Sequence, residues 1–194
     1  EFIIANPRAY AKNVRYTESD LNRSYGLGLD TYEGQRAKTI EERIRLLKPE
    51  LVLDFHTTTA EQPDILITAD RNNEVVQRFI NASAIKDNLV VSPLNDITTV
   101  AQNFVAYEVP NSRLNDYLYE QICTDIERYL DGKMVDQERT FYKMIGKILP
   151  EEEKSIDGLE NFVYNDELQA IPSFLGSKAY KRDGTYAGFK LEVL

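Results

Sequence analysis

The chain has 194 residues, 42% hydrophobic and 28% charged, with a net charge of −9, one histidine and one cysteine. This composition excludes general disorder, and the acidic balance argues against nucleic-acid backbones and anionic membranes as partners. A lone Cys123 excludes an internal disulfide and points to the cytosol, and no apolar run reaches the roughly 18 residues a membrane helix needs. In chain order, Phe2 to Ala5 read as a short strand that Pro7 ends. Residues 6–30 form a long polar segment with little periodicity, carrying Arg8, Arg15 and Arg23. Thr31 to Leu47 read as an amphipathic helix, with Ala37, Ile40, Ile44 and Leu47 at helical spacing. Leu51 to Phe55 read as a buried strand, and Asp64 to Thr68 and Asn88 to Ser92 as two more. A helix over Asn72 to Ser83 lies between those two.

Residues 93–103 read as a polar loop, followed by a strand from Phe104 to Val109. Arg113 to Leu130 is the strongest helix, with Leu114, Leu118, Ile122, Ile126 and Leu130 in one stripe and Gly132 as its stop. Cys123 lies within it and is expected to be a buried, inert thiol. Thr140 to Leu149 alternates like a strand, 150–154 reads as a solvated charged turn, and β-like runs recur at Asn161 to Tyr164 and Thr185 to Val193. The pattern predicts an α/β fold: a mixed central sheet flanked by helices, spanning 1–134, with a smaller β-rich C-terminal domain over 135–194 that covers the site.

The chemistry concentrates in a few places. His56 ends an apolar strand and opens into Thr57-Thr58-Thr59, and ligands in α/β sheets sit beyond the carboxyl ends of strands. A neutral imidazole there is a metal ligand or an acid–base group, or else a core or loop histidine bonded to backbone, the commoner case for a lone histidine. Asp54, two residues earlier, shares its face and is placed to orient the ring. Glu108 interrupts an apolar strand and reads either as an edge-strand charge or as a general base. The arginines of 6–30 are bidentate carboxylate binders or a solvated surface.

Asn6-Pro7-Arg8-Ala9, Arg15-Tyr16, Asp20-Leu21-Asn22-Arg23, Asp54-Phe55-His56-Thr57-Thr58-Thr59 and Tyr107-Glu108-Val109, in this order and spacing, resemble the aspartoacylase and succinylglutamate desuccinylase family, which has a zinc carboxypeptidase-like fold. The resemblance implies a zinc-dependent amidohydrolase that removes the acyl group of an N-acyl amino acid, N-acetyl-L-aspartate first among them. It implies that His56 is a zinc ligand and Glu108 the carboxylate that takes a proton from water and returns it to the leaving amine. It implies further that Arg15 stabilises the oxyanion, that Asn22 and Arg23 grip the substrate carboxylate, and that Tyr180, in Lys178-Ala179-Tyr180, contacts substrate. The partner is then a small molecule, with neither nucleic acid nor membrane, in the cytoplasm. Family members are often dimers or larger, so a homo-oligomer stays open.

The sequence departs from the family in four places. The His-x-x-Glu that supplies two further zinc ligands is expected upstream of Asn6, and nothing here supplies it, so a missing N-terminal portion is expected. The arginine that reads an acidic substrate side chain falls near Thr98 and is replaced. Val109-Pro110-Asn111-Ser112 stands where a longer turn is usual, and Leu168 to Ala170 run directly into Ile171-Pro172-Ser173. The alternatives are a desuccinylase-type deacylase, or a metal-free carboxylate-binding relative that keeps Arg15, Asn22 and Arg23.

Overall fold

A computed structural model describes residues 1–92, 97–181 and 185–194, without the side chains of residues 180 and 181. The chain forms two compact units, Glu1–Val52 with Ser92–Phe104, and Leu53–Val91 with Val105–Leu194.

In the first unit, α1 (Pro7–Lys12) and α2 (Tyr32–Leu47) flank a loop holding a 3-10 turn, Leu21–Arg23. Asn6 caps α1 by accepting the Ala9 N–H, and Pro7 takes the first helical position, where its missing donor costs nothing. The proline therefore starts a helix rather than ending a strand. Residues 2–5 form no strand: Phe2 is 81% exposed, and the carbonyls of Ile4 and Ala5 accept from Arg36 instead of a ladder partner. Thr31 caps α2 through the Gly34 N–H at 3.1 Å. Gly34 cannot carry a side chain, because a Cβ there would lie 2.2 Å from the Leu29 carbonyl oxygen.

The second unit is built on a mixed seven-stranded sheet in the order β1-β4-β2-β3-β5-β7-β6. The strands are β1 (Val52–Thr58), β2 (Ile65–Thr68), β3 (Asp87–Val90), β4 (Phe104–Pro110), β5 (Thr140–Ile148), β6 (Ile171–Ser173) and β7 (Gly188–Val193). β3 runs parallel to β2 and β5, while β4 is antiparallel to β2, and β7 to β5 and β6. Strands from both sides of residue 134 share this sheet, and β5 continues directly from β3. The helices α3 (Glu74–Ala82) and α4 (Asp116–Leu130) pack together on the Tyr107 side: the Phe79 ring meets Tyr107 edge-on at 6.0 Å, and the Tyr107 hydroxyl donates to Asp125 at 3.0 Å. Cys123 on α4 is half-buried rather than buried. Ile65, Leu89, Tyr142, Ile171, Phe174, Phe189 and Leu191 form one apolar cluster of this unit.

Two further expected elements differ. Residues 150–154 lie in a helix, α5 (Pro150–Ser155), with proline at its start, three glutamates in its first turn, and the Glu152 side chain accepting the Leu149 N–H. Asn161 to Tyr164 is a turn, because Phe162 has a left-handed backbone, φ 63°, that no strand continues through. Among the described residues no helix is long and apolar enough to cross a membrane.

Candidate active site

In the sheet unit the geometry begins with the alternation of β1. Phe55 stacks on Tyr107 of the neighbouring β4, ring centroids 5.2 Å apart, on the side of α3 and α4. Alternation then sends Asp54 and His56 to the opposite face of β1 and Glu108 to the opposite face of β4. Glu108 pairs in register with Ile65 of β2. His56 and Glu108 thus lie on one face in adjacent strands, both half-buried. β4 lies between β1 and β2, so Glu108 is not an edge-strand charge.

Asp54 Oδ2 lies 2.7 Å from His56 Nε2. Burial opposes ionisation of Asp54, but the charge and hydrogen bond of His56, with the Phe55 N–H, prevail and hold its carboxyl below the usual range. When Nε2–H donates to that carboxylate, Nδ1 carries the lone pair a metal requires. One imidazole with its orienting carboxylate fits one coordination position, whereas catalytic zinc takes three protein ligands as a rule. Among the described residues no group of three His, Cys, Asp or Glu side chains is placed to hold a metal ion. The described residues on their own therefore do not make a zinc site.

The loop that follows His56 is fastened from several directions. Thr59 Oγ1 accepts the Lys178 N–H at 2.7 Å, Gln62 Oε1 accepts the Phe174 N–H at 3.0 Å, and the Glu61 carbonyl accepts from Asn161 Nδ2 at 2.8 Å. On its other side Ser112 donates to Glu61, and Arg113 pairs with Asp64 at 3.1 Å. Sequence reasoning missed Asn161 and Gln62, since neither carries a motif. Lys178 opens α6 (Lys178–Lys181), but the Tyr180 side chain lies outside the described residues.

The other predicted residues belong to the first unit. Arg15 is exposed and donates Nε and Nη2 to Asp20 Oδ2 at 3.1 and 2.8 Å. Asp20 also caps the 3-10 turn that carries Asn22 and Arg23, its Oδ1 accepting the Asn22 N–H at 3.0 Å. Asp20 therefore brings Arg15, Asn22 and Arg23 together. Asn22 is half-buried and Arg23 exposed. Thr98 lies in a 3-10 turn, Ile97–Thr99, of the same unit.

The chain is similar to several known proteins. A family model described as the succinylglutamate desuccinylase/aspartoacylase catalytic domain matches residues 1–109. A protein of Prochlorococcus marinus (strain MIT 9515) described as "Probable aspartoacylase" is 38% identical over 82 residues, 38% of this chain and 28% of that protein. An N-acyl-aromatic-L-amino acid amidohydrolase (carboxylate-forming) of Xenopus tropicalis is 37% identical over 70 residues, 31% of this chain and 23% of that protein. The chain thus spans about a quarter of the length of the curated relatives it matches. The crystal structure of murine aminoacylase 3 superposes with a TM-score of 0.69 at 21% identity, covering 99% of this chain and 82% of that one. The succinylglutamate desuccinylase of Chromobacterium violaceum gives 0.73 at 14% identity, covering 99% and 72%. These structures share the mixed α/β fold.

Proposed function

We propose, since the chain belongs to the succinylglutamate desuccinylase/aspartoacylase family, that the protein is a deacylase cleaving the amide bond of an N-acyl amino acid, N-acetyl-L-aspartate first among its substrates. The observation that carries this reading is the pairing of His56, backed by Asp54, with Glu108 on one face of adjacent strands. An amide is a poor electrophile and water a poor nucleophile, so hydrolysis needs a base near the scissile carbonyl and a cation for the developing oxyanion. Glu108 takes the water proton and returns it to the leaving amine. Arg15 offsets the oxyanion charge, and Asn22 and Arg23 hold the substrate carboxylate. Tyr180 contacts substrate from the C-terminal segment. Zinc is the cofactor that the family resemblance implies, with His56 as one of its ligands; among the described residues no group of three His, Cys, Asp or Glu side chains is placed to complete the set. We place the protein in the cytosol on its lone cysteine, and its assembly, single chain or homo-oligomer, stays open.

The test is acetate release from N-acetyl-L-aspartate by the complete protein, with N-acetyl-aromatic amino acids and N-succinylglutamate in parallel and zinc content measured alongside. About one zinc per chain is expected. His56→Ala and Glu108→Ala should each abolish turnover; near-normal activity in either sinks the assignment. Absent zinc and turnover, with a carboxylate ligand still bound, would point to a binding protein on this fold.

A further inference from the structure

The segment that carries Arg15 and leads to Asn22 and Arg23 has almost no apolar anchorage, since no residue from 10 to 23 is buried. Its main fastening is one buried carboxylate, beside which the Glu18 carboxylate accepts the Tyr32 N–H at 2.7 Å. Glu33, in the first turn of α2, is 0% exposed and receives five hydrogen bonds. Its Oε1 accepts the Thr17 N–H at 2.6 Å, the Thr17 hydroxyl at 2.8 Å and Asn6 Nδ2 at 3.1 Å. Its Oε2 accepts the N–H groups of Glu18 at 3.1 Å and Ser19 at 3.2 Å. Every partner donates, so the arrangement demands an ionised carboxylate, which accepts at about four lone-pair sites. Burial opposes that charge, but the donors prevail and hold the carboxyl at about 2 against an ordinary 4.5.

The three backbone groups that Glu33 grips lie between Arg15 and Asp20, the two ends of the ion pair. Ser19 is fixed further by its hydroxyl, 2.7 Å from that of Thr31. Asp20 comes next, and it both receives Arg15 and starts the turn bearing Asn22 and Arg23. The Asp20 carbonyl accepts the Arg23 N–H at 3.0 Å and the Ser24 hydroxyl at 2.8 Å.

We infer that Glu33 is the positioning residue for the anion-recognising set: by holding the N–H groups of Thr17, Glu18 and Ser19 it aims Asp20, and through Asp20 it fixes Arg15, Asn22 and Arg23. It contacts no reacting atom. The inference rests on the proposed role of those three residues in binding the substrate carboxylate and oxyanion. It assigns to a buried acid, not an exposed cation, the geometry of anion recognition.

The test uses the complete protein with Glu33→Gln, Glu33→Asp and Thr17→Val. Glutamine keeps the shape but turns an amide donor toward donors. Aspartate keeps the charge, and Thr17→Val removes one of the five donors while leaving the fold's carboxylate intact. For N-acetyl-L-aspartate hydrolysis, Glu33→Gln is expected to raise KM about tenfold or more, Thr17→Val about threefold, and Glu33→Asp to restore part of the loss. Affinity for succinate, a dicarboxylate without an amide, should fall in parallel. A merely structural role would lower melting temperature and the active fraction while leaving KM unchanged, and that result in both Glu33→Gln and Thr17→Val overturns the inference. If Glu33→Gln does not fold, Thr17→Val decides the point. Amide hydrogen exchange separates this outcome from failure of the deacylase reading. If the unaltered protein neither hydrolyses nor binds, that reading falls and takes anion recognition with it, and exchange at Thr17, Glu18 and Ser19 then decides whether Glu33 orders the loop: at least tenfold faster exchange in the variants, confined to about residues 13–24, upholds that ordering, and unchanged exchange ends it.

Discussion

Two fully buried carboxylates, one in each unit, do different kinds of work. Asp125 sits in α4 and accepts from the Ser83 hydroxyl at 2.6 Å, the Ala84 N–H at 3.0 Å and the Tyr107 hydroxyl at 3.0 Å, with Arg128 at 3.3 Å. It joins a strand and two helices that apolar burial already holds together through Val76, Phe79, Ile80 and Val105. Glu33 has no such company: what it holds is irregular backbone, fastened by its hydrogen bonds together with the Glu18–Tyr32 and Ser19–Thr31 contacts. A carboxylate that links packed elements adds to the stability of the whole unit. One that organises a loop fixes a local geometry, and the loop it fixes carries the predicted cations.

The comparison breaks most readily at Asp125. Asp125→Ala strands the Ser83 and Tyr107 hydroxyls and the Ala84 N–H in a buried space and is expected to cost about 3–5 kcal/mol. Urea unfolding followed by circular dichroism checks this. A loss under about 1 kcal/mol would mean that the burial around Asp125 suffices without it.

Acid sharpens the contrast at Glu33. Its folded carboxyl lies below its ordinary value, at about 2 rather than 4.5. Its contribution is therefore complete above about pH 4.5 and is lost as the pH falls toward 2. Hydrogen exchange at Thr17, Glu18 and Ser19, corrected for the intrinsic pH dependence, should show protection declining through that window. In Glu33→Gln the same amides should be poorly protected at every pH, with no step. A step of equal size in that variant would assign the titration to another group.

Tyr107→Phe is milder. It removes the hydroxyl donated to Asp125 but leaves the ring stacked on Phe55 and against Phe79. About 1 kcal/mol is expected, because Asp125 keeps its other donors. A loss near that of Asp125→Ala would show that the hydroxyl, rather than the carboxylate, is the centre of the network.

Much of the fold was legible because its signals are local. The threonine before α2, the apolar spacing of α3 and α4, and the apolar runs of β1, β2 and β4 all reflect residues near in sequence. So does the Asp54–His56 pair, which two-residue alternation alone brings to one face. Misreadings arose where one residue type serves two ends. Pro7 follows Asn6, so it starts a helix after a cap, and Pro150 does the same before three glutamates. Glu33 stayed invisible because an acid in a helix's first turn is ordinary on electrostatic grounds, and nothing nearby announces that a loop 14 to 16 residues earlier folds over it. Asp125 was hidden likewise, its Ser83, Ala84 and Tyr107 partners lying 18 to 42 residues away. The sheet order, which excludes the edge-strand reading of Glu108, is a non-local property of the whole unit.

The smallest effect tests whether loop fastening is confined to the first unit. Asn161 holds the loop after His56 much as Glu33 holds the loop after Arg15. Its Nδ2 donates to the Glu61 carbonyl at 2.8 Å and the Leu175 carbonyl at 3.2 Å, and its Oδ1 accepts the Leu175 N–H at 2.9 Å. The amide is neutral, and neutral hydrogen bonds contribute about half as much as those to an ionised group. The same loop is also pinned independently by Gln62 and Thr59. Asn161→Ala should therefore cost about 1 kcal/mol or less, with faster exchange at Leu175 and little change at Phe174 and Lys178. If exchange at all three amides rises together, the 161–178 segment is held mainly by one side chain, as we infer for Glu33 and the Arg15 loop, and the two loops share a single principle of construction.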